Sequence, residues 1–401
     1  MNTVVIIGAG ASGMAAAITA SRDENNKIII LERQQRVGRK LLSTGNGRCN
    51  LTNINAAPEH YHGASRGFAD DVLKSFTPND TLKFFASLGL ASSVEYGGRV
   101  YPLSNSANSV VDVLRFALER PNIDLRTSCS AKKIERRGQG FTVVTDSERI
   151  KCDYVIVSCG GAAGGKVGGV RDGYDLLAPL GHKCTRIAPS LVQIVTATAY
   201  PRALKGIRVN AALRLERGGK TIAESAGELQ FTDNGISGPA AFDISRAAAE
   251  NGTGDIHIDL LGGSDVDVLS CLRRRVKALP SHGAEDALTG IVHNRLGKMI
   301  VKYAGVSPAK PLGELHENEL QAIASACRDF VLPLRGTESF DKAQVTAGGI
   351  DTRKVDPKTL ESKLVPGLFI TGELLDVDGD CGGYNLQWAW ASGVRAGRLG
   401  K

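Results

Sequence analysis

The chain has 401 residues, of which 42% are hydrophobic, and its 49 basic and 42 acidic side chains leave a net charge of +7. That length suggests two or three domains of about 150 residues. The absence of a bilayer-length apolar run and of an N-terminal leader pattern points to a cytoplasmic protein without a membrane partner. Eight cysteines stand singly with no C-x-x-C pair, neither a zinc pattern nor a disulfide framework, so no metal centre is expected.

In chain order, Val4 to Ile7 form an apolar β-branched run ending in "GAGASG", Ala15 to Ala20 suit a helix, and "KIIILE" (Lys27 to Glu32) suits a second buried strand. Continuous apolar strands around a helix predict a β-α-β unit in a parallel sheet covered on both faces. Helical spacing follows at about Asp71 to Leu88 and Ser109 to Glu119. The segments "DLRTSC", "AKKIERR" and "FTVVTD" suggest an antiparallel meander, and "CDYVIVSCGG" a further buried strand. Short β segments separated by glycine turns run from Pro189 to about Leu261, and helical patterning runs from Asp265 to about Leu332. "AQVTAGGID" and "GLFITGELLDVDGDCGG" then restore the style of the beginning, and "YNLQWAWASGVRAGRL" closes the chain as a helix. The expected organisation is an α/β nucleotide-binding domain over 1–188 and 341–401, interrupted by a β insert over 189–264 and a helical piece over 265–340.

Gly8, Gly10 and Gly13 form G-x-G-x-x-G directly after a strand and before a helix. The first permits the tight turn, the second admits a pyrophosphate to the backbone, and the third lets helix and sheet close together. The helix start, with Ala11 and Ser12, offers free amides to phosphate. Glu32, at the end of the next strand, suits a ribose and would repel a ribose phosphate, so FAD or NAD is expected rather than NADP.

The following loop, "RQQRVGRKLLSTGNGRCNLTN", begins at Arg33 and is too long for a simple NAD site. Its cations Arg39, Lys40 and Arg48, with Ser43, Gly45, Asn46, Gly47 and Asn50, can run along a longer cofactor and give it amides and positive charge. Near the C-terminus, Gly372 and Glu373 end a strand where a carboxylate could bind ribityl hydroxyls. The "GDCGG" turn, with Asp380 and Gly383, leads to a helix whose first residues include Asn385, Leu386 and Gln387. A helix N-terminus there could stabilise negative charge on a reduced flavin. FAD is therefore the expected cofactor.

"GAGASGMAAA", "GRKLLSTGNGRCNLTN", "GELQFTDNGISGPAAFDISR", "VTAGGID" and "GLFITGELLDVDGDCGGYNLQWAWASG" together resemble the bacterial BaiN/YhiN/aminoacetone-oxidase type FAD-dependent oxidoreductases over nearly the whole chain. The resemblance implies a glutathione-reductase-like Rossmann FAD domain with an inserted β-barrel-like domain and a small helical subdomain. It also implies FAD contacts at Gly8, Gly10, Gly13, Glu32, Arg39, Lys40, Asn46, Gly47, Glu373 and the Asn385 to Gln387 segment, and a backbone contact to adenine near Ala131. In "GGKVGGVRDGYDLL" this chain keeps Asp172, Gly173 and Tyr174 of a family turn but lacks its hydroxyl residues.

Only one dinucleotide fingerprint is present, since "CGGAAGGKVGG" has no acidic residue ending a following strand. NAD(P)H is thus expected as a visiting co-substrate, with dioxygen the other route for electrons. The expected function is oxidation or reduction of a small organic molecule. The alternatives are a flavin-dependent RNA-modifying enzyme, suggested by Arg202, Lys205, Arg208 and the Arg273 to Arg275 run, and a non-catalytic flavin sensor. No nucleic-acid partner is favoured. No catalytic residue is marked; His182 is expected to fill structure, and Cys49 and Cys381 are a conceivable redox pair.

Overall fold

The computed structural model describes residues 1–65 and 67–401. Two compact units emerge, one from Met1–Ala188 together with Phe340–Lys401, the other from Pro189–Ser339.

The first unit is built on a five-stranded parallel sheet in the order Leu368–Ile370, Tyr154–Val157, Asn2–Ile7, Asn26–Leu31, Ile123–Arg126. Its central residues Val4, Val5, Ile6, Ile28, Ile30, Val155 and Ile156 are all fully buried. This is what an apolar β-branched run does when helices cover both faces. The fingerprint helix Ala11–Ala20 lies against the C-terminal helix Tyr384–Gly397, and the contact is very close. A Cβ on Gly393 would stand 2.2 Å from the Ser12 carbonyl oxygen, and one on Gly397 would stand 2.5 Å from that of Ala16.

Two sequence expectations need correction here. The helical pattern from Asp71 to Leu88 is two helices, Phe68–Ser75 and Pro78–Ser87. Pro78 cannot continue a helix from the left, and Thr77 with Asp80 forms a capping box that starts the second one. The segment "DLRTSC" also leaves the meander: Ile123–Arg126 adds to the parallel sheet beside Asn26–Leu31. Only Ala131–Arg137, Gly140–Thr145 and Arg149–Cys152 form the antiparallel meander.

The second unit holds a closed six-stranded barrel in the order Ile194–Thr196, Gly235–Ser237, Lys220–Phe231, Arg208–Arg217, Asp255–Asp259, Phe330–Thr337. The helices Val268–Ala278, Asn294–Tyr303 and Glu317–Arg328 fall between the fifth and sixth strands in sequence, so the chain returns from them to close the barrel. Closure leaves no unpaired strand edge. Phe231, Phe330, Leu215, Ile256 and Ile258 fill its core. No helix among the described residues is long and apolar enough to cross a membrane.

Candidate functional site

Turns at the carboxyl ends of the first unit's parallel strands share one edge of the sheet, the edge at which open α/β sheets bind ligands. Gly8 follows Asn2–Ile7 with φ +103°, and a Cβ there would meet the Ser158 carbonyl oxygen at 2.6 Å. Gly13 is tighter, since its Cβ would fall 1.9 Å from the Gly8 oxygen. Gly10 differs from both. Its φ of −83° is open to any residue, and nothing of the protein lies within 4 Å of the position a Cβ would take. Neither strain nor packing accounts for a glycine at that position. A pyrophosphate lying against the backbone would, and the amides of Ala11, Ser12 and Gly13 beside it carry no hydrogen bond among the described residues. The residues therefore fit the phosphate-bearing half of FAD.

Glu32 follows Asn26–Leu31 and is fixed by the amides of Ala9 at 2.9 Å and Gln34 at 2.8 Å. A carboxylate oxygen accepts more than one bond, so Glu32 keeps capacity for ribose hydroxyls. The turn before Ala131 is pinned to the same place, with the Ser128 amide donating to Gln34 and the Cys129 amide to Glu32. Arg33 reaches the Gly168 carbonyl at 3.2 Å, and Arg39 donates to the Gln34 side chain at 3.0 Å.

The loop from Leu41 to Gly47 has the unusual backbone its composition suggests. Gly45 and Asn46 are both left-handed (φ 56° and 57°), Gly47 follows at 83°, and Cys49 at 62°. Asn46 and Gly47 are exposed, whereas Asn50 is buried and accepts from the Val100 amide at 3.2 Å. Ser43 turns its hydroxyl to the Lys40 carbonyl. Arg48 stacks its guanidinium 3.9 Å over the Tyr101 ring while pairing with Glu95 and Asn105.

The C-terminal segment meets both of these regions. Lys40 Nζ donates to Glu373 at 2.6 Å, and the other Glu373 oxygen accepts from the Thr346 amide at 3.0 Å. Gly372 sits against Ser12, with 2.6 Å between its potential Cβ and the Ser12 hydroxyl. The two indoles tie the last helix down, Trp388 donating to the Gly372 carbonyl at 3.0 Å and Trp390 to that of Leu51 at 2.8 Å. Gly383 is pressed on Asn50 and Thr52, and Asn53 donates to the Gly382 carbonyl at 3.0 Å. Near Glu373, the buried Tyr174 hydroxyl and Asp376 Oδ1 have no partner among the described residues. Burial, with the charge of Glu373, pushes the Tyr174 phenol upward.

Two candidate side chains have other tasks. Gln387 is wholly buried. Its amide oxygen accepts from Thr52 and Thr81, both at 2.7 Å, and its nitrogen donates to the Phe76 carbonyl at 2.8 Å, so it locks the helix rather than facing a ligand. Asn385 closes the preceding turn through both backbone groups of Gly379. What this helix start offers a ligand is backbone, in the amides of Asn385 and Leu386, which have no partner among the described residues.

Sequence reasoning missed His60 and His62. Asp380 receives His60 Nδ1 at 2.9 Å and His62 Nε2 at 2.6 Å on separate oxygens. Burial works to raise the Asp380 carboxyl, but the hydrogen bonds from His62 and His60 prevail and hold it below the ordinary carboxylate value. The partners lie 318 and 320 positions apart, which no local motif reveals. Cys49 is fully buried, and burial pushes its thiol up to about 12, so it is a packing residue; all eight cysteines are free.

A dinucleotide fingerprint on a parallel sheet, gripped by a long loop and a returning C-terminal segment, defines a Rossmann flavoprotein. The chain matches the family described as "HI0933-like protein Rossmann domain" over residues 2–399 and belongs to that family of FAD-dependent oxidoreductases. It is 39% identical over 404 aligned residues to a 3-dehydro-bile acid delta(4,6)-reductase of Clostridium scindens, covering 99% of this chain and 98% of that one. It is also 30% identical over 394 residues to a ribosomal RNA dihydrouridine synthase of Escherichia coli, covering 97% and 95%. In fold it is similar to a 3-ketosteroid delta1-dehydrogenase of Sterolibacterium denitrificans, with a TM-score of 0.52, 13% identity and 99% of each chain covered.

Proposed function

We propose that this oxidoreductase reduces a carbon–carbon double bond conjugated to a carbonyl in a small, largely apolar molecule of the 3-oxo steroid or bile-acid type. The observation that carries this reading is the 39% identity, end to end, with a reductase of such bonds. The RNA-named relative supports the same bond chemistry, since dihydrouridine is uridine whose carbonyl-conjugated double bond has been reduced. Of the six basic groups that would form an RNA footprint in the second unit, four are paired with its carboxylates or carbonyls. Lys205 pairs with Asp233 at 2.6 Å, Arg208 with Glu228 at 3.4 Å and Arg273 with Glu317, while Arg275 caps the carbonyls of Asp286, Ala287 and Thr289. That favours a small molecule over a polyanion.

FAD, when bound, supplies two-electron hydride chemistry. The chain's own part is to hold it. Gly10 and the Ala11 to Gly13 amides would take the pyrophosphate, Glu32 and the backbone near Ala131 the adenosine, and Arg39 with the 43–47 loop the middle of the cofactor. Lys40, Glu373, Gly372, Gly383 and the amides of Asn385 and Leu386 would take the flavin end. The helix start there is positively polarised, with no acidic residue in its first turn, and so favours negative charge. Asn50 acts through Gly383, against which it packs. We assign the electron donor to NADH or NADPH as a transient co-substrate, because the second glycine turn is filled by the chain's own atoms. A Cβ on Gly161 would meet Thr346 at 2.5 Å, and one on Gly169 the Ala163 oxygen at 2.1 Å.

The test is anaerobic. The yellow protein is reduced by NADH or NADPH, mixed with a 3-oxo-4,6-diene bile acid, and followed at the flavin absorbance. Stoichiometric reoxidation with loss of the dienone absorbance is expected. Reoxidation by a ribosomal RNA transcript but not by the dienone would transfer the assignment to RNA. Failure with both would remove the reading.

A further inference from the structure

We propose that His60 is the proton donor of the reduction, a catalytic imidazole held by Asp380 and backed by His62. The inference rests on the reading of the reaction given above. Reducing a conjugated double bond breaks its π bond and adds a hydride at the β-carbon, with the cofactor as the two-electron reductant. The electron pair so displaced comes to lie on the α-carbon and its carbonyl as an enolate. One proton must then form the α C–H bond. In this assignment the Nε2–H bond of the His60 imidazolium breaks to supply it, the imidazole is left neutral, and solvent returns the proton.

Four observations converge on His60. Its Nδ1 is bound to Asp380, the arrangement that fixes an imidazole's tautomer and aims Nε2 outward. Nε2 has no partner among the described residues, and the side chain is 31% exposed, so a reactant can reach it. The ring stacks on Tyr384, the first residue of the C-terminal helix, with centroids 4.3 Å apart and planes 22° from parallel. That places it beside the helix start and the Cys381–Gly383 turn, which itself lies on Asn50, Thr52 and Asn53. Finally, Asp380 is doubly held. Its second oxygen takes His62, and its backbone amide donates to the His60 carbonyl at 3.0 Å, where Tyr61–His62 pairs with Asp378–Gly379.

A metal does not explain the cluster. The two imidazoles address different carboxylate oxygens, and no group of metal-ligating side chains is found among the described residues. Among the described residues, the titratable groups recorded around His60 are Asp380, His62, Tyr384 and Tyr61, whose hydroxyl donates to the Tyr384 carbonyl at 3.1 Å. The helix Phe68–Ser75, which packs on the Pro58–His60 turn, carries Asp70, Asp71 and Lys74. His62 and Asp380 are positioning residues, acting through His60.

The test uses wild-type, His60→Gln and Asp380→Asn holoenzymes, photoreduced without oxygen and mixed with the 3-oxo-4,6-diene bile acid. His60→Gln is expected to keep its FAD and its visible spectrum while flavin reoxidation slows by about 10²–10⁴-fold, the usual worth of a general acid. Added imidazole is expected to restore part of the rate, which a merely structural histidine would not allow. Long-range ¹H–¹⁵N spectra of Asp380→Asn should show a changed His60 tautomer, a readout independent of turnover. Wild-type rates in His60→Gln, or a slow variant that has lost FAD or gains nothing from imidazole, would overturn the assignment. A wild-type protein that leaves the dienone untouched overturns the reaction itself, and the proton donor with it.

Discussion

Two glycine-rich turns follow neighbouring strands of the same parallel sheet, and they are filled differently. In the turn after Tyr154–Val157, every glycine from Gly160 to Gly169 is accounted for by the protein, either through positive φ or through an atom crowding the absent side chain. In the turn after Asn2–Ile7, Gly8 and Gly13 are accounted for in the same way, but Gly10 is not. Among the 47 glycines it alone has both an ordinary φ and nothing within 4 Å. Glycine content therefore does not distinguish a ligand cradle from a tightly folded turn. Space around a glycine that the fold does not demand does.

That contrast can be broken by substitution. The largest effect is expected from Gly13→Val, where a side chain must enter 1.9 Å from the Gly8 oxygen; the fold should lose about 3 kcal/mol or more, seen as a lowered denaturation midpoint. Gly169→Val, whose side chain would enter 2.1 Å from the Ala163 oxygen, should behave similarly at the second turn, without a specific effect on FAD beyond that of unfolding. Gly10→Val is the discriminating case. Apoprotein stability should stay within about 0.5 kcal/mol of wild type, while FAD affinity falls roughly a hundredfold, equivalent to about 2.8 kcal/mol. A Gly10→Val protein that still binds FAD tightly would remove the cradle.

A smaller loss is expected from Gln387→Ala. It strands the Phe76 carbonyl and the hydroxyls of Thr52 and Thr81, so the melting temperature should fall by the equivalent of about 2 kcal/mol. FAD stoichiometry should be unchanged, because that amide serves the core. Asp380 gives a pH effect of defined sign. Its folded-state pKa lies below the ordinary 3.8, so the stability it contributes is complete above that value and is lost as pH falls through the lower folded one. Acid titration of Asp380→Asn should therefore show a flatter acid limb than wild type. The smallest signal is a null: a thiol reagent at pH 8 should leave Cys49 unmodified in the native protein, its thiol being buried and pushed up to about 12. Rapid labelling of Cys49 would reopen the redox pair with Cys381.

The sequence by itself determined the parts whose physics is local. Residues 8–13 show their role because a strand, a tight turn and a helix start are adjacent in the chain. The 43–50 loop shows unusual backbone because glycine and asparagine are the residues that tolerate it. The family likeness and the FAD requirement follow from those stretches. Tertiary structure decided what depends on partners distant in sequence. Ile123–Arg126 joined the parallel sheet because Asn26–Leu31 offered it an edge, a fact absent from its own alternation of residues. Gln387 looked like a cofactor contact until Thr52, Thr81 and Phe76 surrounded it. His60 and His62 carried no sequence signal because the carboxylate that gives them meaning enters some 320 residues later. Hydrogen bonds and packing act over a few ångströms of space, and only the folded chain sets which residues come that close.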